Sequence, residues 1–157
     1  MARVYVNIGS NLGNKKEIIA KAISLLEKEY GTLNISELVE SPPWGFESAN
    51  SFFNIGVSFE SEEEPLEILG DLQRIEKAIS YASHRDSNGN YIDRTIDIDI
   101  MAIDGLIFNH PRLRIPHPHL HERIFFIKPM MELCPDWIHP ETGDPIATLY
   151  HLSTGLP

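Results

Sequence analysis

The chain has 157 residues, of which 42% are hydrophobic and 23% charged, and this size and composition predict a single globular domain over residues 1–157. Its formal net charge of −10 argues against a general nucleic-acid binder, because contact with a phosphate backbone needs a basic surface. The sequence shows neither an apolar run of roughly 18 residues, as a membrane span requires, nor a signal peptide. With Cys134 as its single cysteine, we expect a cytoplasmic monomer without nucleic-acid or membrane partners.

Strand and helix patterns alternate through the first half of the chain. Val4, Val6 and Ile8 alternate with other residues at the period of a half-buried strand. In a later strand pattern Phe53 and its alternate neighbours face one side, which leaves Asn54 on the other. The predicted bounds are strands over 4–8, 34–41 and 52–59 and a helix over 15–30.

The second half begins with another helix pattern, which starts at Pro65 and has its last apolar position at Ile79. The predicted features after it are a polar loop over 83–91, a strand over 95–103, a hairpin turn at 104–105 into 106–108, and a short helix over about 120–133. The resulting order of strands and helices favours an α+β fold, with a mostly antiparallel sheet and helices packed against it.

The stretch Asp97-Ile98-Asp99 is the first candidate site. The strand period places both carboxylates on one face, with their Cα atoms roughly 6 to 7 Å apart. Carboxylate oxygens suit Mg²⁺, which proteins commonly share with substrate phosphates. A solvent-facing strand would explain the same spacing without a metal. The pair therefore indicates phosphoryl chemistry, with a solvated strand as the alternative.

Arginines surround the two aspartates in the sequence. Arg94 precedes them, and Arg112, Arg114 and Arg123 follow. The guanidinium group is always charged and binds phosphate oxygens in pairs, so the cluster fits a phosphate-binding site. Any one of these arginines alone is equally well explained as surface charge. No Gly-x-x-x-x-Gly-Lys motif occurs, which excludes a P-loop kinase.

Histidines and aromatic residues supply two further hypotheses. The histidines at 110, 117, 119 and 121 resemble zinc ligands, but prolines at 116 and 118 interrupt regular structure around them. His117 alone could donate a hydrogen bond to a phosphate or a ribose. Trp44, Phe52 and Phe125 with Asn54 could hold a flat heterocycle between aromatic faces, while ordinary core packing explains each aromatic equally well.

Four segments, in this order along the chain, resemble the 6-hydroxymethyl-7,8-dihydropterin pyrophosphokinase family. They are Ile-Gly-Ser-Asn-Leu-Gly at 8–13, Gln-Arg-Ile-Glu at 73–76, Arg-Thr-Ile-Asp-Ile-Asp-Ile at 94–100, and Pro-His-Pro at 116–118 leading to His-Glu-Arg-Ile-Phe at 121–125. Ser-Pro-Pro at 41–43 and Phe53-Asn54 add to the match, which runs from residue 4 to about 135. Each segment is moderately specific, and the ordered set is far more so.

The resemblance implies a ferredoxin-like α/β plait and transfer of pyrophosphate from ATP to the pterin hydroxymethyl group, in folate biosynthesis. It implies two Mg²⁺ ions held by Asp97 and Asp99, with Arg94 and Arg85 also catalytic. The implied ATP-binding residues are Gln73, Glu76, Arg94, Ile100, Arg112, Leu113, Arg114, His117 and Arg123. The implied pterin-binding residues are Ser41, Pro42, Pro43, Trp44, Phe52, Asn54 and Phe125.

The chain departs from the family pattern at two places. The family usually carries a Gly-Arg-x-Arg run after the second helix, whereas residues 80–85 read Ser-Tyr-Ala-Ser-His-Arg, so that Arg85 is the one arginine available there. Phe52 stands where the family often has tyrosine, which keeps the stacking face and drops a hydroxyl. Two other functions stay open from the residues: a zinc-dependent hydrolase that uses the histidines at 117–121, and a non-catalytic ligand-binding module of ferredoxin-like fold.

Overall fold

The amino-terminal strand pattern lies in the interior of the main sheet, where it pairs on both sides. In a computed structural model, which describes residues 1–11, 14–41, 51–83 and 96–154, seven strands, four α-helices and one 3₁₀ turn are present. The strands are β1 (Ala2–Ser10), β2 (Asn34–Ile35), β3 (Val39–Ser41), β4 (Phe52–Ser61), β5 (Asp97–Ile103), β6 (Phe108–His110) and β7 (Leu113–Ile115). The helices are α1 (Lys15–Tyr30), α2 (Pro65–Ser83), α3 (Ile124–Leu133) and α4 (Ile146–Thr154), and the 3₁₀ turn is Leu120–Glu122.

The strand pairings are antiparallel throughout the described part of the chain. The main sheet has the order β2-β4-β1-β5, and β3 pairs with β4 beyond the end of β2. Strands β6 and β7 form a separate hairpin. The predicted α+β class with a mostly antiparallel sheet is therefore confirmed.

The two faces of the sheet pack against different helices. Val4, Val6 and Ile8 of β1 point to the face covered by α1 and α2, where they join a core of fully buried side chains such as Leu26 and Leu72. The opposite face is apolar at one end only, where it packs on α3 and α4 in a second core. That second core contains Tyr5, Met101, Ala102, Leu120, Phe126, Ile127, Met130, Trp137, Ile146 and Leu149.

The other end of the second face carries polar residues in two rows across three strands. One row is Asn54 on β4, Gly9 on β1 and Asp97 on β5, and the next is Gly56, Asn7 and Asp99. Directly opposed residues of antiparallel strands have Cβ atoms roughly 5 Å apart, so Asn7 and Asp99 are neighbours, and the glycines at 9 and 56 add no side chain beside the polar residues. The predicted alternation is confirmed for β1, for β4 and for β5 from Asp97 to Ile100, and it collects the polar residues on one surface.

Gly56 lets helix α3 approach this surface closely. A Cβ atom at position 56 would lie 2.6 Å from the Cβ of Pro129 and 3.0 Å from Cδ1 of Leu133. Contacts this short are repulsive, so glycine is required for α3 to lie directly on β4. The amino-terminal end of α3 consequently stands beside the polar rows.

Two predicted elements differ from the structure, and one observed helix has no predicted counterpart. The strand expected over 34–41 is broken, because the Ser36 hydroxyl accepts the Gly56 amide at 2.8 Å and Glu37 donates to the Glu132 carboxylate of α3 at 3.0 Å. The expected helix over 120–133 is a 3₁₀ turn followed by α3, because Arg123 between them is extended. Helix α4 was not predicted.

The turn at 104–105 is present, but it does not form the predicted hairpin with β5. The backbone N–H of Asp104 donates to the Arg3 carbonyl at 3.0 Å, and its own carbonyl accepts Nε1–H of Trp137 at 3.0 Å. These bonds lead the chain out of the main sheet, so that β6 pairs with β7 instead.

Within the ranges that the structure describes, none of the helices combines the length and apolar character that crossing a bilayer requires.

Candidate active site

A cavity of about 160 Å³ lies over the two polar rows. Its floor comes from β1, β4 and β5, and its wall from the residues at the start of α3. The lining residues are Asn7, Gly9, Phe52, Asn54, Asp97, Asp99, Arg123, Phe125 and Phe126. A small space with aromatic walls, a buried amide and two carboxylates suits one compact polar heterocycle.

Gly9 explains how the amide of Asn54 reaches the cavity floor. A Cβ atom at position 9 would lie 2.8 Å from Oδ1 of Asn54, closer than such contacts allow. Asn54 is 3% exposed, and a buried amide requires hydrogen-bond partners. Glycine at position 9 therefore makes the room in which the Asn54 amide stands.

The wall at the start of α3 combines aromatic rings with a cation. The guanidinium carbon of Arg123 lies 5.7 Å from the ring centre of Phe125 and 5.3 Å from that of Phe126. The two rings meet edge to face, with centres 5.2 Å apart. Such contacts favour a fixed position for the guanidinium group, so positive charge is held against the aromatic wall.

A second and larger groove, of about 420 Å³, runs between β5 and the β6–β7 hairpin. It is rich in cationic and hydrogen-bonding side chains. The lining residues are Leu69, Ile98, Asp99, Ile100, His110, Pro111, Arg112, Leu113, Arg114, His117 and Pro118. Arg112 and Arg114 are both exposed, which suits an anionic ligand that enters from solvent.

Asp99 lines both the cavity and the groove. Asp97, its neighbour on the same face of β5, lines the smaller cavity. The carboxylate of Asp99 thus stands where a ligand in the cavity and a ligand in the groove would meet. The arrangement suits a transfer reaction between two substrates.

His117 in the groove is a neutral hydrogen-bond donor. Burial, together with the positive charge of Arg123 and the nearby His119, lowers the pKa of His117 to about 4. Nδ1 of His117 accepts the backbone N–H of His119 at 3.1 Å. A neutral imidazole carries one proton, so that proton is on Nε2. His117 therefore offers an N–H group without charge.

We expect ¹⁵N NMR of the His117 ring to show the Nε2–H tautomer and a titration near pH 4. In the unfolded chain the same ring takes up its proton near pH 6.5. The contribution of His117 to stability is therefore complete above pH 6.5 and is lost as the pH falls toward 4. A ring that titrates near pH 6.5 or carries its proton on Nδ1 would contradict this assignment.

Comparisons with known proteins identify the family. The model of the 7,8-dihydro-6-hydroxymethylpterin-pyrophosphokinase (HPPK) family matches residues 5–135. The chain is 37% identical to 2-amino-4-hydroxy-6-hydroxymethyldihydropteridine pyrophosphokinase of Porphyromonas gingivalis, over 92% of this chain and 99% of that protein. It is 35% identical to the protein of the same name from Aquifex aeolicus, over 93% and 89% of the two chains.

The chain belongs to the HPPK family. It is therefore a diphosphokinase, as the sequence resemblance implied, and the two other functions left open by the residues are not favoured. A crystal structure of Plasmodium falciparum HPPK-DHPS with pteroate superposes with a TM-score of 0.77 at 15% identity. That likeness covers 98% of this chain and 42% of the Plasmodium chain, so this chain spans less than half of the solved one.

The structure brings most of the predicted HPPK residues to the two spaces. Asp97, Asp99, Phe52, Asn54 and Phe125 line the cavity. The groove contains Ile100, Arg112, Leu113, Arg114 and His117. Arg123, which was assigned to the nucleotide, lines the smaller cavity. Pro42, Pro43, Trp44, Arg85 and Arg94 lie outside the described residues, and Ser41 ends β3, where it pairs with Phe52.

Two predicted nucleotide residues lie on α2 beside the groove. The carboxylate of Glu76 accepts the backbone N–H of Ile98 at 2.8 Å, which fixes β5 between the two aspartates. Gln73 is exposed one turn from Leu69 on the same helix face, and Leu69 lines the groove. Their side chains thus face the side of β5 that the groove follows.

The sequence-based site omitted several lining residues. Asn7, Gly9 and Phe126 line the cavity, and Leu69, Pro111 and Pro118 line the groove. The sequence did contain a signal for Asn7. It is a polar residue on one face of a strand whose other face, Val4, Val6 and Ile8, is entirely apolar. The others carry no signal until the fold places them.

The four histidines at 110, 117, 119 and 121, all within the described residues, do not converge on a zinc site. His119 pairs with Glu122 at 3.0 Å, and His121 lies 3.3 Å from the same carboxylate group. Among the residues that the structure describes, the one group of three or more ligand side chains within 4.8 Å contains Glu29, Glu63 and Asp71, and no histidine. The zinc hydrolase has no support from this arrangement.

Proposed function

We propose that the chain transfers the pyrophosphoryl group of ATP to 6-hydroxymethyl-7,8-dihydropterin, giving AMP and the pterin diphosphate in folate biosynthesis. The observation that carries this proposal is that Asp99 lines both the heterocycle-sized cavity and the cationic groove. Membership of the HPPK family supplies the chemistry. Two substrates placed in these two spaces would meet at β5.

The cavity is the proposed pterin site. Phe52 and Phe125 provide aromatic faces for the flat ring, and the buried amide of Asn54 offers both a donor and an acceptor to its polar edge. We also propose that residues 42–44, which lie outside the described ranges, bind the pterin. This assignment rests on the family resemblance. Ser41, at the end of β3, leads into them.

The groove is the proposed nucleotide site. Arg112 and Arg114 would bind phosphate oxygens, and Nε2–H of His117 would donate to a phosphate or ribose oxygen. Ile100 and Leu113 offer apolar contact to the base, and Gln73 borders the groove from α2. Glu76 contributes by holding the Ile98 amide of β5.

The donor set at β5 fits Mg²⁺. Asp97 and Asp99 present two half-buried carboxylates on one strand face, the hard oxygen ligands that this ion prefers. When bound, the two expected ions would neutralise phosphate charge as the pyrophosphoryl group moves. The hydrogen bond from the Ile98 amide to Glu76 holds β5 between Asp97 and Asp99. The two carboxylates are therefore positioned before substrate arrives.

The reaction joins the hydroxymethyl oxygen of the pterin to the β-phosphorus of ATP and breaks the bond from that phosphorus to the AMP oxygen. The residues of the chain align the two substrates and hold positive charge near the phosphates. We propose that Arg123, at the aromatic wall, stabilises the negative charge of the phosphates. The same role is proposed for Arg94 and Arg85, which lie outside the described residues. We also infer that the protein acts in the cytoplasm, which its single cysteine fits, and as a monomer, since residues of one chain line both spaces.

Incubation of the protein with ATP, Mg²⁺ and 6-hydroxymethyl-7,8-dihydropterin tests the proposal directly. We expect AMP to appear with the pterin diphosphate in equal amounts, and to require all three components. Reactions without pterin or with excess EDTA serve as controls. If AMP formation does not depend on the pterin, the proposed function is wrong.

A further inference from the structure

Asn7 occupies a position in the site that neither the family motifs nor the proposed roles use. It lies on β1 between Gly56 of β4 and Asp99 of β5, and it lines the cavity. The side chain is 2% exposed. A buried amide at this place calls for a physical reason, because an apolar side chain would cost less to bury.

The amide of Asn7 has a fixed orientation. Nδ2 donates to the backbone carbonyl of Phe125 at 2.9 Å. A carbonyl oxygen can only accept, so the nitrogen of the amide must point to Phe125 and the oxygen must point away. Oδ1 lies 3.9 Å from the place where a Cβ of residue 9 would stand, on the cavity floor.

Pro129 explains why the Phe125 carbonyl needs this donor. In an α-helix the carbonyl of residue 125 would accept the N–H of residue 129, four positions later. Residue 129 is proline, inside α3, and proline has no N–H to donate. The side chain of Asn7 supplies a donor from the neighbouring strand, so the first turn of α3 is tied to β1 at the level of Asp99.

We propose that Asn7 is a positioning residue of the pterin site, which replaces the donor missing at Pro129 and thereby sets the place of Phe125 above the cavity. The inference rests on the proposed function, because Phe125 is the aromatic face offered to the pterin. Pro129 itself packs against Gly56, next to Asn7 in the same row of the sheet. Removing the Asn7 amide would release the Phe125 backbone while the rest of α3 stays packed.

The test is a double-mutant cycle on the full chain, measured by AMP release at varied pterin and ATP concentrations. We expect Asn7→Ala to raise the KM for the pterin about tenfold, as loss of a buried hydrogen bond predicts, with the KM for ATP and kcat nearly unchanged. In a Pro129→Ala background residue 129 regains its N–H and keeps its Cβ contact with Gly56. There we expect Asn7→Ala to raise the pterin KM less than about threefold.

A merely structural role for Asn7 would give the same loss in both backgrounds, and that result would overturn the proposal. Ser58→Ala is the matched control, since Ser58 is fully buried on the same sheet face, its Oγ has no hydrogen-bond partner among the described residues and it lies outside the cavity lining. We expect this control to keep the wild-type pterin KM.

Two outcomes separate this inference from the proposed function. A wild-type chain that forms no pterin-dependent AMP overturns both, whereas an active wild type with an unchanged pterin KM in Asn7→Ala overturns only the role of Asn7. Should Asn7→Ala fail to fold, the wild type still gives a reading by NMR. The side-chain amide protons of Asn7 should exchange slowly with solvent. If they exchange as fast as those of the exposed Asn109, the hydrogen bond to Phe125 is contradicted.

Discussion

Replacing either Asp97 or Asp99 by alanine is expected to reduce pyrophosphoryl transfer by about a thousandfold or more, because each removes a carboxylate that would hold Mg²⁺ against the phosphates. Asp99 lines both the cavity and the groove, whereas Asp97 lines the cavity. We therefore expect Asp99→Ala to weaken nucleotide binding more strongly than Asp97→Ala. AMP release and calorimetric titration with a non-hydrolysable ATP analogue measure the two effects.

The same substitutions should leave the fold in place. Two carboxylates on one face of a strand repel each other, so their replacement removes an unfavourable term along with any contacts they make. Circular dichroism and thermal melting should match the wild type closely. Asp136→Ala is the control, since Asp136 is exposed and lies after α3, outside the lining of both spaces. Near-full activity in either Asp97→Ala or Asp99→Ala would show that the metal assignment is wrong.

Much of the fold could be predicted because alternation along a strand is a local property. The period-2 pattern of β1 and β4 placed Asn54 opposite the core face, and that of β5 did the same for Asp97 and Asp99. The pairing of these strands then brings the polar residues into neighbouring rows. Sequence patterns of period two thus predicted which side chains share a face, although they did not predict which strands pair.

The features that were missed depend on contacts between distant parts of the chain. The break between β2 and β3 follows from bonds to Gly56 and to Glu132, which no local pattern shows. The β5 alternation also changes phase, because the pairing register with β1 shifts between Tyr5 and Val6. Both Met101 and Ala102 consequently belong to the core on the α3 side. The roles of the individual site residues stay predictions.

Helix α4 is a different kind of omission, because its signal was present in the sequence. Pro145 stands just before it, and Ile146, Leu149 and Tyr150 follow at helical spacing. Ile146 and Leu149 are buried in the second core beside α3. Helix α4 therefore packs against α3, the helix that carries Phe125. Although α4 lies outside the family motifs, it supports the wall of the cavity in this way.

Asn54→Ala is expected to lower kcat/KM for the pterin by about a hundredfold, because a site built to hydrogen-bond a polar ring loses a buried donor and acceptor together. The Asn54 amide lies on the cavity floor over Gly9, so the change should leave the KM for ATP close to the wild-type value. Initial rates at varied pterin and fixed saturating ATP measure the loss. Asn34→Ala, an exposed asparagine on β2, is the matched control. Because the groove is lined by other residues, an equal loss for ATP and pterin would mean that the two spaces do not hold separate substrates.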